Sequence, residues 1–380
     1  MNRYYPLLFL LLISSCSLVD SLADLISPKT PWEKYTRSLR REKGKEHPDL
    51  QAWQAANASA LHDDAALVLP SKVRLALRPW VAPDATACGF RFQLDRGRGL
   101  TAAFAPNKGV VFGELYAIGQ DHEGTYFELI TAWDTIEHEL HYEAEDSGEY
   151  LLLLQSKLYQ QVEGELIVKE YAPLTFPVAG VDNRAAQSFW GAPRDGGKRK
   201  HEGVDIFAPK GTNLLAVADG EVTRVKEGGL GGKVVWCWAP EYNLSIYYAH
   251  LDEQLVSKGD RIRRGEIIGT VGNTGNAHNT PPHLHFGIYP NGQQAVDPWP
   301  FIRMVEASAT SPQIDYQQLG KEKKLKSAKQ YNIRKQPHPQ ATITRQLNAG
   351  ESVFILGATG EYSHVRTQDG TTGFMAETRK

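Results

Sequence analysis

The chain has 380 residues, a formal net charge of −2 at pH 7, and ordinary apolar (41%) and charged (23%) fractions. That length suggests two or three domains, and the composition supports a packed core. The near-neutral balance gives no global pull toward nucleic acid, and no nucleic-acid partner is expected.

The N-terminus carries a short basic start, Met1-Asn-Arg3, and an apolar run from Leu7 to Ile13. The run is too short to span a bilayer as a mature helix, so residues 1–15 are expected to be a signal peptide. It ends in Ile13-Ser14-Ser15-Cys16, which resembles the bacterial lipobox. The resemblance implies a lipid on Cys16 and a lipoprotein on the periplasmic side of the envelope. Ser17 stands where an aspartate would suggest inner-membrane retention, so the outer membrane is the expected anchor. With Cys16 lipidated, Cys88 and Cys237 remain, and two free buried thiols are expected.

Residues 16–65 hold the anchor, a tether and a helical segment. Trp32, Tyr35 and Leu39, then Leu50, Trp53 and Leu61, have helical spacing, and Pro48 starts the second helix. A membrane tether and a helical pair packed on the next domain both fit.

Over 66–175 the apolar pattern changes to period two. Val73–Leu77, Phe90–Leu94, Leu100–Phe104, Tyr126–Ile130, Tyr150–Leu154 and Leu166–Val168 have the pattern of strands separated by glycine turns. The spacing predicts a β-sandwich, and it resembles the jelly-roll domains beside secreted bacterial peptidases. Ile136-Glu-His-Glu-Leu-His141 imitates the helical His-Glu-x-x-His zinc motif but misses by one residue, because Tyr142 stands where the second histidine belongs. On a strand, His138 and His141 would point to opposite faces, so a surface strand is expected there.

The chemistry concentrates in 176–303. His283 and His285 are two apart on an expected strand and share a face. His201 and Asp205 are four apart on a loop entering a strand, where spacing alone does not prove convergence. His250 ends a strand on which Ile246, Tyr248 and His250 would share one face. A catalytic zinc site needs about three nitrogen or oxygen ligands and an open position. His-x-His, His-x-x-x-Asp and a further histidine within one glycine-turn unit point to a metal.

Those residues carry a closer resemblance. His201-Glu-Gly-Val-Asp205, Ala218-Asp-Gly-Glu-Val222, Tyr247-Tyr-Ala-His-Leu251, Gly272-Asn-Thr-Gly275 and Pro282-His-Leu-His-Phe286 are similar to the lysostaphin/LytM family of zinc endopeptidases, in its order and nearly its spacing. The resemblance implies a twisted antiparallel β core with a groove, and cleavage of peptide cross-links in peptidoglycan. It implies His201, Asp205 and His285 as zinc ligands, with His250 and His283 as the proton-handling histidines; which of the two is the base stays open. The chain departs in detail: Ala249 replaces the usual glycine, and Trp190 stands between Phe189 and Gly191 where Phe-Gly is usual. Trp190, Arg194, Trp236 and Trp238 are candidates to line the groove, though the last two fit a core strand face equally. His278 matches no family position and is expected on a loop.

Residues 304–328 are polar and lysine-rich, and are expected to be a linker. The basic runs Lys198–Lys200 and Lys321–Lys326 are expected to be solvated. Residues 329–380 resemble a bacterial SH3-like domain, through Asn332-Ile-Arg334, Gly350-Glu-Ser-Val-Phe-Ile-Leu-Gly357 and Gly373-Phe-Met375, with His338 and His364 expected at the surface. Such domains bind wall peptides or pack on their catalytic neighbour. The expected fold is therefore mainly β: sandwich, lysostaphin-type core, small SH3-like barrel and a short helical start.

Peptidoglycan peptides are the expected substrate, and a regulatory protein is a further candidate partner. The alternatives are a non-catalytic amidase activator or wall-binding scaffold, and a peptidase for non-wall proteins. The presence of all five chemical residues argues against a degenerate relative.

Overall fold

The computed structural model describes residues 29–78, 86–291, 293–305, 311–312, 316–326 and 330–376. The expected signal peptide and Cys16 lie outside them.

Helix α1 (Pro31–Lys43) starts at a capping box: Thr30 Oγ1 accepts the Glu33 N–H at 3.2 Å, and Glu33 Oε2 accepts the Thr30 N–H at 2.9 Å. Helix α2 (Pro48–Ala60) follows a tight turn. Leu39, Leu50 and Trp53 bury themselves against Phe112, and Trp53 Nε1–H donates to the Ser156 carbonyl at 2.8 Å. The helical pair is thus packed on the next unit.

That unit is a sandwich of two antiparallel sheets. Strands β1 (Ser71–Leu77), β3 (Gly99–Lys108), β6 (Glu139–Glu143) and β8 (Val162–Tyr171) lie in one sheet, ordered β1-β8-β3-β6. Strands β2 (Ala87–Leu94), β4 (Val111–Asp121), β5 (Gly124–Ala132) and β7 (Gly148–Ser156) form the other, ordered β2-β7-β4-β5. Alternate residues such as Val73, Leu75, Phe90, Phe92, Leu152, Leu154, Leu166 and Val168 fill the space between the sheets. Cys88 is buried and free in β2, and Cys237 is buried and free in the next unit. His138 departs from the expected surface strand. It precedes β6 with φ of 52° and is buried against Phe104 and Trp133, because the left-handed turn tips its ring inward. His141, on β6, is exposed as expected.

The zinc-motif unit contains β9 (Ala186–Ser188), a hairpin of β10 (Pro193–Arg194) and β11 (Arg199–Lys200), then β12 (Val204–Phe207), β13 (Asn213–Leu215), β14 (Gly220–Lys226), β15 (Val234–Ala239), β16 (Leu244–Ala249), β17 (Leu251–Gln254), β18 (Arg261–Ile262), β19 (Ile267–Val271) and β20 (His283–Pro290). A seven-stranded sheet ordered β18-β14-β15-β16-β20-β12-β9 lies beside a three-stranded sheet, β13-β19-β17. One face of the large sheet supplies the core: Val204, Ile206, Val235, Cys237, Ile246, Tyr248, Leu284, Phe286 and Ile288. The residues between them face the other way, and there the chemistry sits. Trp236 and Trp238 belong to that second face, not to the core, and Trp236 packs on Tyr247 and Tyr289. Arg98, fully buried, ties the sandwich to this unit. Its Nη1 donates to the Pro300 and Arg303 carbonyls at 3.0 and 2.8 Å, and its Nε to Glu170 at 3.1 Å.

The C-terminal strands β21 (Glu322–Lys324), β22 (Tyr331–Arg334), β23 (Ile343–Leu347), β24 (Ser352–Thr359), β25 (Tyr362–Thr367) and β26 (Thr372–Ala376) continue the sandwich sheet, because β24 pairs with β1. Gly357 makes that join: a Cβ there would lie 2.7 Å from the Arg74 carbonyl oxygen. Two expectations need correction. Residues 304–328 are not simply a linker, since β21 pairs with β24. His364 is not at the surface; it is wholly buried between Phe90 and Phe374 at the junction of the two units.

Candidate metal centre

Register places the central pair of candidate donors. Asp205 on β12 lies directly opposite His285 on β20, and Ala249 on β16 flanks His285 from the other side. Directly opposed residues on one sheet face bring their Cβ atoms within about 5 Å, so the two side chains meet without further help. Val204 and Ile206 hold Asp205 outward by filling the core on either side of it. His201 comes from outside the sheet, behind the β10–β11 hairpin. Its N–H donates to the Ala192 carbonyl at 2.8 Å, and its own carbonyl accepts the Gly191 N–H at 2.9 Å.

The three donor atoms form a near-equilateral triangle. His201 Nε2 is 2.9 Å from Asp205 Oδ1 and 2.9 Å from His285 Nδ1, and His285 Nδ1 is 3.0 Å from Asp205 Oδ1. The protonation of His201 is dictated by its other nitrogen: Nδ1 is 3.0 Å from the Phe189 carbonyl, which can only accept. The proton of a neutral His201 therefore sits on Nδ1, and Nε2 turns a bare lone pair toward a carboxylate oxygen. Two acceptors at that distance repel unless a cation lies between them. A tetrahedral zinc with ligands at about 2.0–2.1 Å would space them about 3.3 Å apart, so the triangle fits after a small expansion. Among the described residues this trio is the group of histidine and acidic donors that could hold a metal.

His250 and His283 stand beside the trio, with ring centroids 5.1 Å apart. By strand alternation His250 would join Ile246 and Tyr248 in the core. It does not, because its φ of 64° breaks the alternation and turns the ring into the groove. Each ring donates Nδ1–H to a backbone carbonyl: His250 to Thr274 at 2.9 Å, His283 to Pro281 at 2.9 Å. Both therefore face the groove with an unprotonated Nε2 when neutral. Burial, then the neighbouring His285 and His283, push the His250 pKa down to about 4.

The groove around these five residues encloses about 580 Å³ and is walled by Tyr247, Tyr289, Leu230, Asn276 and Arg194. Of the aromatic candidates, Trp190 does not line it; Trp236 packs beside the two tyrosines on the same sheet face. Arg194 does line it. Leu230 was not anticipated; its signal is 63% exposure of a leucine on a glycine-rich loop. His278 is an exposed loop residue, as expected.

Residues 199–298 match the sequence model described as Peptidase family M23, and 329–378 the one described as Bacterial SH3 domain. The chain carries an M23 peptidase domain and a bacterial SH3 domain. The M23 region is similar to an uncharacterized metalloprotease of Haemophilus influenzae, 41% identical over 108 residues, covering 28% of this chain and 22% of the relative. It is also similar to the peptidoglycan DD-endopeptidase ShyC of Vibrio cholerae, 36% identical over 100 residues, covering 26% of this chain and 22% of the relative. The chain thus spans about a fifth of the length of these curated relatives. Among solved structures, the catalytic domain of lysostaphin from Staphylococcus simulans is 32% identical, with 30% of this chain and 89% of that domain covered and a TM-score of 0.28.

Proposed function

We propose that the chain is a zinc-dependent endopeptidase that hydrolyses peptide cross-links of bacterial peptidoglycan, held by a lipid on Cys16 at the periplasmic side of the envelope and on the outer membrane. The observation that carries the reading is the His201–Asp205–His285 triangle with two further histidines aimed into the same groove. A relative named as a peptidoglycan DD-endopeptidase supports the substrate class, and one named as a glycyl-glycine endopeptidase supports peptide-bond cleavage.

Zinc held by these three residues would supply Lewis acidity toward a peptide carbonyl and lower the pKa of a water in the groove. The remaining work falls to the chain. His250 and His283 each keep Nε2 free for a proton, because a backbone carbonyl fixes the proton on Nδ1. One removes a proton from the attacking water and delivers it to the leaving amine, and the other donates to the developing oxyanion only in its imidazolium form, with Nε2 also protonated. Tyr247 and Tyr289 flank the histidines and hold an extended peptide over them.

The test is to incubate the chain with purified sacculi, with and without a chelator, and to analyse released muropeptides. Cross-link fragments should appear only with zinc. Their absence under both conditions would leave an amidase activator or wall-binding scaffold as the better account. The anchor is tested separately by fatty-acid labelling of wild type and Cys16→Ala in a bacterial host, where label persisting in Cys16→Ala would rule it out.

A further inference from the structure

A second cleft opens where the sandwich meets the M23 domain. It encloses about 400 Å³, with Asp95, Arg96 and Ser147 on the sandwich side and Trp190, Asp297 and Trp299 on the other. It exists only because the two units are docked. Arg96 spans them, its Nη2 donating to Gln293 Oε1 at 3.2 Å, while the Arg96 N–H donates to Ser147 Oγ at 2.8 Å. Asp297 accepts the Trp299 N–H at 3.0 Å, and burial, reinforced by Asp95, pushes its carboxyl pKa up.

The lining is of two kinds. Two half-buried indoles offer flat apolar faces, and Trp299 is held edge-on against Phe189 with centroids 5.3 Å apart. Around them lie two carboxylates that only accept and one guanidinium that only donates. Facing acidic groups disfavour an anionic ligand, and the density of polar groups disfavours a purely aliphatic one. A pyranose has the matching form, with C–H faces for the indoles and hydroxyl or acetamido edges for Asp95, Asp297 and Arg96.

The cleft also lies next to the metal centre along the chain. Ser188 lines the catalytic groove and Trp190, two residues on, lines this cleft. Phe189 between them gives its carbonyl to His201 and its ring to Trp299. Two residues of chain span at most about 7 Å, so the two clefts share adjoining lining residues. Trp190 is also the residue that interrupts the Phe-Gly pair usual in the family.

We propose that the Trp190–Trp299 cleft binds an uncharged N-acetylated amino sugar of the glycan strand, seating the strand beside the zinc centre so that its attached peptide enters the groove. The inference rests on the peptidoglycan reading for the identity of the strand. It gives the sandwich a duty: it supplies one wall of the sugar site.

The probe is a β-1,4-linked tetramer of N-acetylglucosamine, titrated into the full chain while indole fluorescence and calorimetric heat are followed. Wild type should bind it saturably. Trp190→Ala should weaken binding about tenfold or more, as truncation of an anchoring aromatic does, and Trp190→Phe should recover part of it. No saturable binding by wild type, or equal binding by wild type and Trp190→Ala, would overturn the proposal. So would a glycan-free peptide dimer competing the sugar out of the cleft. Cleavage of that same dimer by the zinc-loaded wild type reports on the peptidase reading alone, so failure of either idea is visible without the other.

Discussion

Arg194 Nη2 lies 2.7 Å from Asp205 Oδ2, while the other oxygen of the same carboxylate, Oδ1, faces His201 and His285. The same Nη2 is 2.7 Å from Ser188 Oγ. The guanidinium thus occupies one oxygen of Asp205 and would leave a single oxygen free to hold a metal. Partners of this kind orient a ligand, and their loss typically costs about 10–100-fold in metal affinity. Arg194→Ala should therefore weaken zinc binding to the full chain by about that factor in competition with a chelating dye. Arg194→Lys should recover only part, because an ammonium keeps the charge but not the planar fork. Unchanged zinc affinity in Arg194→Ala would remove Arg194 from the site.

The five site residues should separate into two classes. His285→Ala removes a ligand, so zinc content after dialysis should fall well below one per chain. His250→Ala removes only the ring held by the Thr274 carbonyl. It should keep zinc and lose turnover by about 10²–10⁴-fold, the usual worth of a positioned proton-transfer group. Full turnover with bound zinc in His250→Ala would refute its role as a proton carrier.

The strands and the shared face of His283 and His285 were legible because the sheet repeats every two residues. His283 and His285 flank Leu284, Asp205 stands between Val204 and Ile206, and alternation alone puts polar and apolar residues on opposite faces. The same rule failed where a single backbone angle broke it. His250 and His138 have left-handed φ values that no spacing announces, and each ring went to the face opposite the expected one. The position of His364 was hidden for another reason. Its burial depends on Phe90, 274 positions earlier in the chain, and on the sheet continuing from β1 into β24. Arg194 stood out only as a groove candidate; its bond to Asp205 depends on how the β10–β11 hairpin folds over the sheet.

Gly203 sits between His201 and Asp205, and the structure gives it a specific duty. A Cβ at this position would lie 2.6 Å from the Phe286 carbonyl oxygen and 2.7 Å from Cε1 of His285. The carbonyl belongs to a central strand, so the backbone at 203 would have to back away from it and the imidazole of His285 to swing aside. Gly203→Ala should displace His285 and lower zinc affinity, although no ligand is altered. Because ligand geometry must hold within about 0.5 Å, a loss of at least tenfold is expected in the same dye competition. Wild-type affinity in Gly203→Ala would show that the sheet relaxes around the methyl group.

His364 should make stability depend on pH. Burial, then Arg366, pushes its pKa down to about 3, and neither ring nitrogen has a hydrogen-bond partner among the described residues. In the unfolded chain an ordinary histidine titrates near 6.5. Above that pH the ring is neutral in both states and contributes no pH dependence. As pH falls through 6.5 the unfolded chain takes up a proton that the folded chain refuses, so stability declines, and it continues to decline until about pH 3. The limiting slope is about 1.4 kcal/mol per pH unit, which gives a loss of about 2 kcal/mol between pH 6.5 and 5 from this residue. His364→Leu, which keeps an apolar side chain between Phe90 and Phe374, should remove that part of the slope. Urea unfolding of both chains at pH 7, 6 and 5 measures it as the difference between wild type and His364→Leu, in which the contribution of the other histidines cancels. Parallel pH profiles for wild type and His364→Leu would mean that the junction opens to admit the proton at little cost.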